Sequence, residues 1–262
     1  MPFGLYRYLG WRGCAEEVGR VIGTSALRAV FGDWAARRAS LVVALNGDVA
    51  RRFNKIAESI VIESNIALDV AELGMEASVQ TRARIGHERT AVFAGRLIPW
   101  KGLRLAIDCL RYAPGWRLVV FGDGPEKERI AGLAQRLGVA GRVELRGNVP
   151  RDEVLDGLKA ADAFLFPSFH DAASTAVAEA SAIGCPVVCL DLGGPALQAG
   201  DNAHVVAVEP VESLAPRLAG VLMGLESRGV PDRHLAAERL GGLVRRWYLG
   251  EGVGVHIAAS GK

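Results

Sequence analysis

The sequence has no long uninterrupted run of apolar residues. No stretch of its 262 residues approaches the roughly 18 apolar residues of a membrane-spanning helix, and residues 1–13 lack the apolar core of a secretory signal peptide. Acidic and basic residues nearly balance, with a formal net charge of +2 at pH 7, which gives no field strong enough to favour nucleic acid as a partner. These absences lead us to expect a cytoplasmic protein that does not bind nucleic acid.

Cysteine is scarce as well. The four cysteines, Cys14, Cys109, Cys185 and Cys189, form no CxxC pair and no paired zinc-ligand spacing. The last two lie in or beside an apolar run, which favours buried, reduced thiols. His170 stands beside Asp171, but no second histidine or cysteine accompanies it at ligand spacing. We therefore expect no bound metal.

The length and composition predict one complete domain and part of another. Half of the residues are hydrophobic, enough for one full core and a fragment of a second. We expect a partial α/β segment at 1–85, a complete domain at 86–225, and a C-terminal helix and tail at 226–262.

The first segment is expected to contain one βαβ unit, with strands at 40–45 and 59–62 around a helix at 49–55. Before it, residues 1–38 interleave arginines with aromatic residues, a pattern typical of an amphipathic helix. A solvated helix and a peripheral contact with an anionic membrane both fit that pattern.

From Thr90 onward, short β-branched runs alternate with helical stretches of about ten residues. Strands are expected at 91–94, 117–121, 142–145, 163–166, 186–190 and 204–208, and helices at 102–112, 125–137, 151–160, 176–183, 211–225 and 234–248. This alternation predicts parallel strands joined by right-handed crossovers. The predicted fold class is α/β, a Rossmann-like doubly wound parallel sheet, with the partial N-terminal α/β segment before it.

A polar loop, residues 167–174, joins one predicted strand to the start of a helix. In open α/β sheets ligands bind at the carboxyl ends of strands, where free backbone N–H groups of a helix start attract phosphate. Asp171 lies just before this helix and Glu179 lies in its second turn, eight residues later. The stretch therefore indicates a ligand site.

A second polar loop follows the strand at 91–94. Gly95 permits a tight turn, and Arg96 and Lys101 stand five residues apart before the next helix. A guanidinium and an ammonium placed together suit a diphosphate, whose charge grows when it leaves. The Gly122-x-Gly124 turn does not continue as a dinucleotide fingerprint, because Lys127 stands where the third glycine is required.

Taken in order, these motifs resemble the donor-binding domain of GT-B glycosyltransferases of family 4. The resemblance rests on four stretches: Gly95-Arg96 with Lys101-Gly102, Gly122-Asp123-Gly124-Pro125, Gly147-Asn148-Val149-Pro150, and the acidic pair Asp171 and Glu179. The first acid of that pair is usually Glu in the family. The likeness runs from about 90 to 209 and, more faintly, from 40 to 69.

The resemblance implies a retaining, metal-independent transferase that moves a sugar from a nucleoside diphosphate sugar to an unidentified acceptor by front-face displacement. It implies no other cofactor. The implied catalytic set is Arg96 and Lys101 on the diphosphate, Asp171 on the sugar and Glu179 on the ribose. Further implied donor contacts are Gly95, the backbone of Asn148 and Val149 toward the nucleobase, and the amides of Ser174, Thr175 and Ala176 toward phosphate.

Two departures from the family keep other interpretations open. Ala196 and Leu197 stand where the family commonly has an acid after a glycine pair, and most of the family's N-terminal domain, with its acceptor site, has no counterpart. We therefore expect poor transfer by the chain alone, and self-association or a partner chain. The alternatives are a non-catalytic or partner-dependent nucleotide-sugar-binding module, and a nucleotide-sugar epimerase.

Overall fold

The computed structural model describes residues 32–39, 42–44, 51, 53, 55, 60–62, 88–226 and 229. Residues 1–31 of the helix predicted at 1–38 lie outside these residues, as do the helix predicted at 234–248 and most of the helix predicted at 49–55.

Two parallel sheets are present in the described part of the chain. Strands β1 (Val42–Ala44) and β2 (Ile60–Ile62) pair with each other. The larger sheet contains β3 (Arg89–Ala94), β4 (Trp116–Phe121), β5 (Val143–Gly147), β6 (Ala163–Phe166), β7 (Val187–Leu190) and β8 (Ala203–Val206). Its six strands run in the order β5-β4-β3-β6-β7-β8, and every neighbouring pair is parallel.

The core lies around the central strands. Every residue of β6 and β7 is buried, as expected for strands of a parallel sheet that is covered on both faces. Phe166 stacks on Phe164 and on Phe93, with ring centroids 5.5 Å and 5.8 Å away respectively. These contacts tie β3 to β6 at the middle of the sheet.

Helices cover the larger sheet in two groups. Apart from the short helix α1 (Asp33–Ala36) near the start of the described residues, the helices are α2 (Leu103–Cys109), α3 (Lys127–Arg136), α4 (Arg151–Ala160), α5 (Thr175–Ala182), α6 (Pro195–Ala199) and α7 (Leu214–Met223). α2 contacts α3 and α7, whereas α5 contacts α4 and α6. Right-handed crossovers place these two groups on opposite faces, so the predicted doubly wound sheet is confirmed.

The chain reverses its direction across the sheet at β3. It moves from β3 to β4 and β5 on one side, then returns to β6 on the other side of β3. In doubly wound sheets, the crevice beyond the carboxyl ends of the strands at such a reversal is where ligands bind. The loops after β3 and β6 therefore border this crevice.

Some predicted bounds differ from the structure in detail. The stretch predicted as one helix at 102–112 is α2 followed by a 3-10 turn, Leu110–Tyr112. The helical backbone stops after Tyr112 because Pro114 disfavours helical backbone at Ala113. Within the described residues, no helix is both long and apolar enough to cross a membrane.

Candidate functional site

The loop after β3 lies directly on the turn after β4. The Gly95 amide donates to the Phe121 carbonyl (3.0 Å), and the Glu126 amide donates to the Leu97 carbonyl (3.1 Å). A Cβ at position 124 would lie 2.5 Å from the Leu97 carbonyl oxygen, so glycine is required for this approach. The glycine turn thus shapes the site through packing against the Gly95 loop.

The loop after β6 packs against the end of the β3 loop. The Phe169 amide donates to the Trp100 carbonyl at 2.8 Å, and Ser168 Oγ lies 3.1 Å from the same carbonyl oxygen. These contacts join the two loops at the crevice where the strand order reverses.

Lys101 and Asp171 form an ion pair across this junction, from Nζ to Oδ2. Their side chains are only 20% and 10% exposed, respectively. Lys101 Nζ also lies 5.2 Å from the centroid of the Phe166 ring, within cation–π range. The structure therefore brings together two of the predicted site residues that lie far apart in the sequence.

The loop after β7 holds the Asp171 loop from its other side. The Gly194 amide donates to the Asp171 carbonyl at 2.7 Å, and a side chain at Gly193 would overlap that carbonyl. The same loop leads into α6, where Ala196 and Leu197 stand in place of the expected acid. It supports the backbone of Asp171.

The start of α5 corrects one expectation. The amide of Ser174, expected to bind phosphate, donates to Gln198 Oε1 at 2.8 Å instead. The buried Gln198 side chain reaches it from α6 because α5 and α6 pack together. The amides of Thr175 and Ala176 lie in the first helical turn, where no intrahelical acceptor exists, and Ser174 makes no side-chain cap.

Glu179 lies in the second turn of α5 and is 5% exposed. Its Oε1 accepts a hydrogen bond from Arg151 Nε at 2.8 Å. Arg151 is the first residue of α4 and directly follows the loop that contains Asn148 and Val149. Arg151 was not among the predicted site residues.

A cavity of about 430 Å³ opens beyond the ends of β3 and β4. It is lined by Ala94, Gly95, Arg96, Phe121, Gly122, Asp123, Asn148, Val149 and Val154. Four of these residues, Gly95, Arg96, Asn148 and Val149, belong to the predicted site.

Asp123 places a carboxylate in this cavity wall. The hydrogen bond from Lys127 Nζ, together with that from the Gly124 amide, lowers the pKa of Asp123 below its ordinary value. The carboxylate is therefore ionised at neutral pH.

The predicted residues thus fall into two linked groups. Arg96 lies exposed at the cavity, and the same loop leads to Lys101 and its partner Asp171. Asn148 and Val149 line the cavity, and the same loop leads to Arg151 and its partner Glu179. Among the described residues, no three His, Cys, Asp or Glu side chains gather in a group that would hold a metal ion.

A doubly wound parallel sheet whose loops bring a cation and a carboxylate together at the strand reversal is a Rossmann-like α/β domain. Residues 76–228 match the family model for glycosyl transferases group 1. The chain belongs to that family, as the motifs indicated.

Relatives with known sequences support this assignment. The chain is 34% identical over 176 residues to the putative teichuronic acid biosynthesis glycosyltransferase TuaC of Bacillus subtilis, an alignment that covers 64% of this chain and 43% of TuaC. The chain spans less than half the length of the curated relatives it matches.

Solved structures share the fold. The lipopolysaccharide outer core galactosyltransferase WaaB superposes with a TM-score of 0.64 at 18% identity, over 82% of this chain and 63% of WaaB. Anabaena HepE in complex with UDP superposes with a TM-score of 0.55 at 21% identity, over 80% of this chain and 65% of HepE. The expected GT-B type of α/β fold is confirmed.

Proposed function

We propose that the chain is the donor-binding part of a retaining glycosyltransferase that takes a sugar from a nucleoside diphosphate sugar without a metal. The observation that carries the proposal is the Lys101–Asp171 ion pair. It lies between the loops after β3 and β6, at the strand reversal, and so puts a cation and a hydroxyl acceptor side by side.

The proposal assigns each part of such a donor to residues in or around the cavity. In the proposal, the base lies against Asn148 and Val149, the ribose reaches Glu179, and the diphosphate lies between Arg96 and Lys101. The amides of Thr175 and Ala176 offer further phosphate donors. Asp171 then meets the sugar hydroxyls, because its carboxylate is already beside Lys101.

The chemistry needs stabilisation of the leaving group above all. The bond from the anomeric carbon to the diphosphate oxygen breaks, and its electron pair remains on that oxygen. The acceptor hydroxyl attacks the same face, and its proton passes to the leaving phosphate oxygen. Arg96 and Lys101 stabilise the charge that grows there, which is where fixed cations lower a barrier most.

The first experiment is isothermal titration calorimetry with UDP, GDP and ADP, and with their glucose or mannose conjugates. We expect one nucleoside diphosphate to bind best. Each charge-assisted contact is worth roughly 1.5–3 kcal/mol, so Arg96→Ala or Lys101→Ala should weaken its binding by about ten- to a hundredfold. The corresponding monophosphate should be weakened less.

Lys159→Ala is the matched control, because this substitution also removes one positive charge. Lys159 lies in the last turn of α4 and pairs with Asp156 at 3.6 Å. Equal loss for the monophosphate and the diphosphate would contradict the diphosphate assignment. Transfer is measured separately, with a mixture of acceptors, because donor binding and transfer are different claims.

A further inference from the structure

A single arginine connects the two sides of the proposed nucleoside site. Arg151 starts α4, two positions after Val149, which lines the cavity. Its Nε lies 2.8 Å from Oε1 of Glu179, on α5. The pair therefore joins the loop proposed for the base to the residue proposed for the ribose.

The two partners differ in their exposure to solvent. The side chain of Glu179 is 7% exposed, whereas that of Arg151 is 42% exposed. A buried carboxylate without a partner is costly to keep charged. Arg151 offsets that cost, and the hydrogen bond from its Nε fixes the position of Oε1 of the carboxylate.

We propose that Arg151 is a positioning residue for ribose recognition. It holds the Glu179 carboxylate in place and oriented toward the ribose hydroxyls. This inference rests on the proposed function, since it takes Glu179 as the ribose acceptor. The ligand class concerned is the ribonucleoside diphosphate, as against its deoxy analogues.

A merely structural ion pair makes a different prediction. If Arg151 only stabilised the contact between α4 and α5, its loss would weaken the binding of ribo and dideoxy nucleotides by the same factor. If it positions Glu179, its loss removes the advantage that ribose hydroxyls confer, and a ligand without those hydroxyls is affected little. The ratio of ribo to dideoxy affinity separates the two roles.

The experiment uses the full chain and calorimetry with UDP, GDP and their 2′,3′-dideoxy analogues. Hydrogen bonds to a charged acceptor predict that the wild type prefers the ribonucleotide by about tenfold or more. In Arg151→Ala this preference should fall to about one- to threefold, and Arg151→Lys should restore part of it. In Glu179→Gln, adding Arg151→Ala should not change the ratio further.

Arg146→Ala is the matched control. Arg146 lies on β5 near the same loop, is 46% exposed and pairs with Glu144 and Glu153. Its substitution by alanine removes the same charge and should keep the wild-type ratio of ribo to dideoxy affinity. Thermal unfolding of each variant identifies any loss of folding. If Arg151→Ala does not fold, Arg151→Lys is used for the test. Its ratio of ribo to dideoxy affinity is expected to lie between that of the wild type and that of Glu179→Gln.

The outcomes distinguish the role of Arg151 from the ribose role of Glu179. A wild type that binds ribo and dideoxy forms equally would overturn the ribose role of Glu179, and the inference with it. A wild-type preference that persists in both Arg151 variants would overturn the inference alone and leave the proposed function standing.

Discussion

The backbone of Gly102 lies directly against the carbonyl of Pro167, so closely that a Cβ on residue 102 would overlap the carbonyl oxygen. Gly102 also has a φ of 77°, a conformation that favours glycine. This approach lets the turn that contains Lys101 meet the loop that contains Asp171. The site therefore depends on the absence of a side chain at this position.

Substitution of Gly102 by alanine should destabilise the protein and separate the two loops. The left-handed backbone alone costs roughly 1–2 kcal/mol, and relief of the overlap adds about 1–3 kcal/mol. Gly138→Ala is the control, because Gly138 has a similar φ of 69° but open space around it. Urea unfolding of both variants measures the difference, and equal losses would show that the contact with Pro167 does not matter.

Gly157 is also expected to be important for stability, because a side chain at this position would overlap a neighbouring group. In α4, a Cβ on Gly157 would lie 2.6 Å from the Phe121 ring, and Phe121 lines the cavity. Gly157→Ala should therefore cost about 1–3 kcal/mol by overpacking. Gly220→Ala, in α7 with nothing within 4 Å, should instead stabilise by roughly 0.5–1 kcal/mol. A gain of stability in both variants, measured by thermal unfolding, would refute the packing argument.

Two buried thiols should make stability fall at alkaline pH. Burial, with a smaller effect of Asp108, raises the pKa of Cys109 to about 12, and burial, with a smaller effect of Asp191, raises that of Cys189 to about 12. An unfolded thiol has a pKa near 8.5, so the unfolded state loses its proton first. The stabilising contribution is complete below about pH 8.5 and is lost as the pH rises toward 12.

Urea midpoints at pH 7.5 and pH 9.5 measure this effect in the wild type and in a Cys109→Ala, Cys189→Ala double variant. The double variant should lose less stability between the two pH values. An identical loss in both proteins would mean that other groups cause the alkaline dependence.

Much of the fold follows from local pattern. Strands such as Ala163–Phe166 and Val187–Leu190 are short apolar runs between turn residues, and the helices between strands reach the length that parallel crossovers need. Loops at strand ends follow from the same alternation. The position of the candidate site was therefore predictable, and so was the sharp glycine turn after β4.

The contacts within the site were less predictable, because they join residues far apart in the sequence. Lys101 and Asp171 are 70 residues apart, Arg151 and Glu179 are 28 apart, and Ser174 and Gln198 are 24 apart. Such pairs depend on how helices pack and on which loops touch. No local periodicity carries that information, which is why Arg151 and Gln198 were missed.

Because Lys101 and Asp171 form a pair, the effect of Asp171→Asn on ligand affinity should depend on whether Lys101 is present. In the wild type, Asp171→Asn should weaken a UDP-sugar relative to UDP, because an amide accepts sugar hydroxyls less strongly than a carboxylate. In Lys101→Ala, the carboxylate of Asp171 has lost its counter-ion beside the diphosphate. Adding Asp171→Asn there should recover at least about fivefold in UDP affinity, because a charge pair near 4 Å is worth about 1 kcal/mol even in water-like screening.

Calorimetry with UDP and UDP-glucose, or with the GDP pair if GDP binds better, completes this double-mutant cycle. Asp156→Asn serves as the control, because Asp156 is 77% exposed and pairs with Lys159 at 3.6 Å. That substitution should leave both ligands unchanged. If the double variant binds UDP no better than Lys101→Ala alone, the two side chains do not act as a unit on the diphosphate. The ion pair would then serve only to join the loops after β3 and β6.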